Sequence, residues 1–85
     1  MIRLTTRQRQ VLLLAAAGNS NARIAAALGN SAGSVAETLT AAYRRLGAAD
    51  RTHAVTLAIY HGVISIGDLA RIAQPTDAQD QETAA

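Results

Sequence analysis

The sequence predicts an all-α fold: a four-helix bundle with a short fifth helix as an option and a disordered C-terminal tail. Three observations carry this. Apolar residues recur at the three- and four-residue spacing of one helix face. Polar caps open these segments, and glycines close most of them. No stretch alternates apolar and polar residues as a half-buried strand does.

The first helix opens on Thr5-Thr6-Arg7-Gln8, a capping box: the Thr5 hydroxyl accepts from the Gln8 N–H, and the Gln8 side chain reaches back to the Thr5 N–H. It is expected over residues 5–17, burying Val11, Leu12, Leu14 and Ala15, with Leu4 as the staple and Gly18 as the stop. Ser20 caps a second helix over 21–28, whose inner face is Ile24, Ala25 and Leu28. Gly29 ends it, because glycine enters the left-handed conformation of a helix C-terminus without a Cβ penalty. Ser31 caps a third helix over 32–46, with Val35, Leu39, Ala42 and Leu46 on one face and Gly47 as the stop. Asp50, well placed against a helix dipole, caps a fourth that reaches His61 and Gly62, with Ala54, Val55, Ala58 and Ile59 inward. Val63 and Ile64 are expected to fold back onto the core. Residues 65–73 would add a turn or two of helix presenting Ile66, Leu69 and Ile72. Beyond Pro75 the chain is polar and acidic, without large apolar groups, so residues 1–74 read as one domain and 75–85 as a disordered acidic tail.

Composition narrows the function classes. A chain of 85 residues makes one domain with a small core, built here from Ala, Val, Leu and Ile, with Tyr43 and Tyr60 as the only aromatics. The absence of cysteine excludes disulfides and thiolate metal sites. The longest apolar run, residues 11–17, is too short to span a bilayer and lacks signal-peptide context, so a cytoplasmic protein without membrane association is expected. Every basic residue is arginine. Residues 1–74 hold eight arginines against Glu37, Asp50 and Asp68, a charge of +5, while the tail carries three acids. A basic body suits phosphate binding through counterion release.

Two short helices joined through Gly29-Asn30-Ser31 make a helix-turn-helix, whose second helix commonly enters the DNA major groove. The wider pattern supports this. Leu4, Thr5 and Arg7 are followed by Val11-Leu12, by Gly18, Ser20, Asn21, Ile24, Ala25 and Leu28, by Ser31 and Ser34-Val35, and by Arg45-Leu46-Gly47, Arg51, Ala54-Val55 and Gly62. Over residues 4–64 this resembles the LuxR-type helix-turn-helix domain without a gap. The resemblance implies a four-helix bundle from a bacterial transcription regulator, in which the second and third helices read DNA and the fourth supplies a dimer contact. Only three residues precede Leu4, so a stand-alone version without a sensory domain is expected.

Departures from the family pattern fall on its DNA-reading half. Arg23 stands where the family usually has a capping-box glutamate; a cation there opposes the helix dipole by about 0.3–1 kcal/mol unless it meets a phosphate. Asn30 replaces a buried Ile or Val and must find a partner or turn outward, since leaving it buried and unpaired costs roughly 1–3 kcal/mol. Gly33 weakens the first turn of the third helix by about 1 kcal/mol relative to alanine. The family usually has lysine at the place of Ala36, histidine at Thr38 and a basic or polar group at Thr40. The segment 35–40 here contains no base and one acid, Glu37. Glutamate accepts from the cytosine amino group and threonine touches a thymine methyl, so base reading survives, with a weaker or partner-assisted grip.

Two sets of DNA-binding residues follow. Ser34, Val35, Glu37, Thr38 and Thr40 are expected to face bases beyond the Ser31 cap, while Ser20, Asn21, Arg23, Arg44, Arg45 and Arg51 hold phosphates. The rival reading is a degenerate helix-turn-helix that binds another transcription regulator or RNA polymerase. Leu57, Tyr60 and His61 form an outward patch on the helix over 50–61; it pairs with a second copy or is covered by residues 65–73, and both readings stay open. His53 and His61 lie eight residues and about 12 Å apart along that helix, too far for one metal. No catalytic constellation, metal site or cofactor motif is present in the sequence.

Overall fold

A computed structural model describes residues 2–73 and contains five helices in the order α1 (Thr6–Ala16), α2 (Asn21–Leu28), α3 (Ala32–Leu46), α4 (Arg51–Tyr60) and α5 (Ile66–Ile72). No strand occurs among the described residues. None of these helices is long and apolar enough to cross a membrane. The acidic tail expected over 75–85 lies outside the described residues.

Side-chain caps set the helix starts. Thr5 and Gln8 close the α1 capping box with two bonds of 3.0 Å. Ser20, Ser31 and Asp50 each accept a backbone N–H from the residue three further on, at 3.2, 3.0 and 2.9 Å. Each bond satisfies a donor that the first helical turn leaves unpaired. Gly29 takes φ +71°, and the N–H of the following Asn30 donates to the Ala25 carbonyl at 2.9 Å. This closes the corner between α2 and α3 with the Asn30 side chain exposed, so an amide in an apolar family position costs the core nothing.

Four helices meet in the core. α1 contributes Val11, Leu12 and Ala15; α2 contributes Ile24 and Ala25; α3 contributes Val35, Leu39, Ala42 and Leu46. α3 packs against α1, α2 and α4. α4 brings only Ala54 and Ala58 to full burial, with Val55 and Ile59 half-buried, so alanine lets the backbones approach closely. Ile64 folds back into the core at 1 % exposure, as its sequence position implied.

α5 forms and docks on α1 with two of its three expected apolar residues turned inward. Leu69 and Ile72 are half-buried, whereas Ile66 is 68 % exposed. Asp68 adds a polar tether. Its carboxylate accepts the Ser65 N–H at 2.9 Å, binds the Arg9 guanidinium of α1 at 2.8 Å and also pairs with Arg71. Arg9 extends the tether by donating through Nε to the Val63 carbonyl at 3.1 Å. With Asp68, Leu69 and Ile72 turned to α1, Ile66 lies at the margin of that face, about 60° from Leu69 but about 120° from Ile72 and about 160° from Asp68.

The Ser65 N–H, helped by the Ser65 hydroxyl and Arg9, holds the Asp68 carboxyl below its usual 3.8 despite opposing desolvation. A depressed carboxyl stabilises the docked state at pH above 3.8 and loses that contribution as pH falls through the lowered folded value. Acid titration of the α5 amide resonances is expected to show this helix released ahead of α1–α4. Asp68→Asn should speed α5 hydrogen exchange at neutral pH. Unchanged α5 protection in Asp68→Asn would show that apolar contact alone docks the helix.

Candidate nucleic-acid interface

Helical geometry divides α3 into two faces. Val35, Leu39, Ala42 and Leu46 face inward, leaving Gly33, Ser34, Glu37, Thr40 and Arg44 exposed and Ala36, Thr38 and Ala41 half-buried at the margins. Glu37, Thr40 and Arg44 follow at spacings of three and four, so they share one outward stripe. The helix-turn-helix therefore projects α3 sideways with a nearly neutral ridge: two small polar or apolar margins, one carboxylate and one guanidinium.

Some expected contacts are reassigned by this geometry. Val35 is 1 % exposed and packs in the core, so it is withdrawn as a base contact. Thr38 is half-buried and its hydroxyl donates to the Ser34 carbonyl at 3.0 Å, which leaves its methyl and an oxygen lone pair for any base. Ser31 and Ser20 are spent in part as caps, though both are exposed.

Asn21 and Arg51, both expected on phosphates, bind each other. Arg51 Nη2 donates to Asn21 Oδ1 at 2.6 Å, and Nη1 donates to the Asn19 carbonyl at 2.9 Å. Asn19 in turn donates through Nδ2 to the Leu14 carbonyl at 2.9 Å. This chain of polar contacts ties the end of α1 and the start of α2 to the start of α4. Arg51 thus fixes the helix-turn-helix on the bundle, with its guanidinium engaged by the Asn19 carbonyl and the Asn21 amide.

The remaining charges separate cleanly. The ion pairs among the described residues both fall on Asp68 and occupy Arg9 and Arg71. Asp50 caps α4, so Glu37 is the acid without a partner among these residues. Arg7, Arg23 and Arg44 are exposed with side chains unpaired among the described residues. Arg45 Nη2 donates to the Arg3 carbonyl at 2.9 Å, bringing exposed Arg3 beside the C-terminal end of α3. Arg3 escaped the sequence reading because it lies in the leader before α1 and becomes a neighbour of Arg45 only through a contact 42 residues long.

The expected α4 patch changes too. Leu57 is half-buried against the core, while Tyr60 is 79 % exposed and meets the His61 ring edge-on at 5.0 Å. His53 Nδ1 accepts the Ala49 N–H at 3.0 Å, a local role at the entry to α4.

Residues 3–58 match the family model described as bacterial regulatory proteins, luxR family. The match ends within α4, leaving α5 beyond it. A transcriptional activator protein, BjaR1 of Bradyrhizobium diazoefficiens, is 44 % identical over 63 residues, covering 74 % of this chain and 26 % of the relative. The chain thus spans about a quarter of the length of the curated relative it matches. No solved structure matches.

Proposed function

The chain belongs to the luxR family of bacterial regulatory proteins and carries that family's DNA-binding helix-turn-helix domain, and on that premise we propose that it regulates transcription by laying α3 in the major groove. Ser34, Glu37, Thr38 and Thr40 then face base edges, while Arg23, Arg44, Arg45 and Arg3 hold phosphates on either side. Ser20, at the exposed N-terminus of α2, adds a further phosphate contact. The observation supporting this reading is the distribution of charge. Arg44 on the outward stripe of α3, Arg45 near its end with Arg3 beside it, and Arg23 on α2 are exposed and unneutralised by any acid among the described residues. The exposed Tyr60 on α4 supports pairing of two copies across that helix.

Fluorescence anisotropy with random-sequence duplex over a salt series tests the proposal. For one protomer, four arginine–phosphate contacts give a slope of log affinity against log salt of about −3.6, a loss of roughly 150-fold between about 50 and about 200 mM. Arg23→Ala should reduce the slope by about 0.9. Affinity that does not respond to salt would reject phosphate binding.

A second reading is favoured by the outward stripe itself, which bears no base between Val35 and Tyr43. A protein partner, either another regulator or RNA polymerase, would dock there. Salt-insensitive DNA binding together with a stoichiometric copurifying protein would favour it.

A further inference from the structure

We infer that Glu37 makes α3 a reader of the cytosine amino group, and that it sets specificity by penalising the other three bases at one position of the site. This rests on the major-groove reading above. The carboxylate stands at the middle of the outward stripe, exposed, with no hydrogen bond and no ion pair among the described residues. Its exposed neighbours one turn before and after, Ser34 and Thr40, carry shorter side chains, so Glu37 reaches further from the ridge than either. Arg44 lies seven residues on, two turns or about 10.5 Å further along the axis, too far to neutralise it. It can instead hold a phosphate and keep the ridge in the groove.

An ionised carboxylate only accepts hydrogen bonds. In the major groove guanine offers N7 and O6, both acceptors, and thymine offers O4 and a methyl group. Both meet Glu37 with repulsion or an unpaired charge. Adenine offers the N6 amino group, but its N7 acceptor lies beside it. Cytosine offers N4–H₂ with no acceptor of its own on that edge. A carboxylate held among phosphates is unfavourable on most sequences, and only the cytosine amino group returns a charge-assisted bond. Arginine-driven affinity is thereby withheld from random sequence. A helix without bases on its ridge gains discrimination this way, by exclusion rather than by extra attraction.

Selection of bound fragments from random duplex DNA by the wild type, Glu37→Gln and Glu37→Ala tests this. The wild type should fix one cytosine, and replacing it should lower affinity about tenfold. Glu37→Gln should move the preference at that position to adenine, because the glutamine amide pairs with N6 and N7 together. Glu37→Ala should flatten the position and raise affinity for random duplex severalfold, with thermal stability unchanged because the side chain is exposed and unpartnered. Three proteins selecting the same sequence would overturn the inference while leaving the DNA-binding reading intact. Failure of all three to bind any duplex in a salt-dependent way would remove that reading, and this inference with it.

Discussion

Leu12→Ala should lower the melting temperature by about 10–30 °C and abolish DNA binding in parallel. Leu12 is completely buried at the centre of α1, the helix packed against α2, α3, α4 and α5. Truncating a buried leucine costs roughly 2–5 kcal/mol, part lost transfer energy and part cavity. A small domain commands a total of about 5–15 kcal/mol, and each kcal/mol moves its midpoint by about 4–8 °C. The alanine-rich core places this protein toward the lower end, since Ala42, Ala54 and Ala58 are fully buried yet remove little apolar area. Ile66→Ala is the matched control. Its side chain is mostly exposed, so the change should stay within about 0.5 kcal/mol. Thermal unfolding by far-ultraviolet circular dichroism reads both; a shift of only a few degrees in Leu12→Ala would show that the core is centred elsewhere.

Helix boundaries were legible in the sequence because they are local. The cap residues Thr5, Ser20, Ser31 and Asp50 act on backbone groups three residues away, and Gly29 and Gly47 act on their own φ. The three-four periodicity of Val35, Leu39, Ala42 and Leu46 likewise identified the inner face of α3. The same periodicity should have removed Val35 from the DNA-reading set, since one side chain cannot serve the core and a base edge together. Arginine roles were not legible. Arg9, Arg45 and Arg51 find partners 59, 42 and 30 residues away, and nothing in their immediate neighbours marks one guanidinium as a clamp and another as free. Ile66 differs for a related reason: α5 docks through Leu69, Ile72 and the remote Asp68–Arg9 ion pair, which leaves Ile66 at the exposed margin of that face.

Arg51→Met and Arg44→Ala should fail in opposite ways. Arg51→Met keeps an apolar stem of similar length but removes both donors, leaving the Asn19 carbonyl and the Asn21 amide without their partner in a half-buried setting. Hydrogen bonds to charged groups are worth about 1.5–3 kcal/mol, and partial exposure here brings the expected loss to about 2 kcal/mol, or roughly 10 °C in melting temperature. The salt slope of DNA affinity should not change, because this guanidinium meets no phosphate. Arg44→Ala removes an exposed, unpaired side chain, so stability should stay within about 0.5 kcal/mol while the slope falls by about 0.9. Thermal melts and salt-dependent anisotropy on the same two proteins separate the roles. Should Arg51→Met lower the slope and spare the melting temperature, the clamp reopens on binding and Arg51 is a phosphate ligand after all. The difference between the two arginines comes from placement alone: one lies at the start of a helix beside a carbonyl and an amide, the other on the open side of a ridge where only solvent or a duplex can meet it.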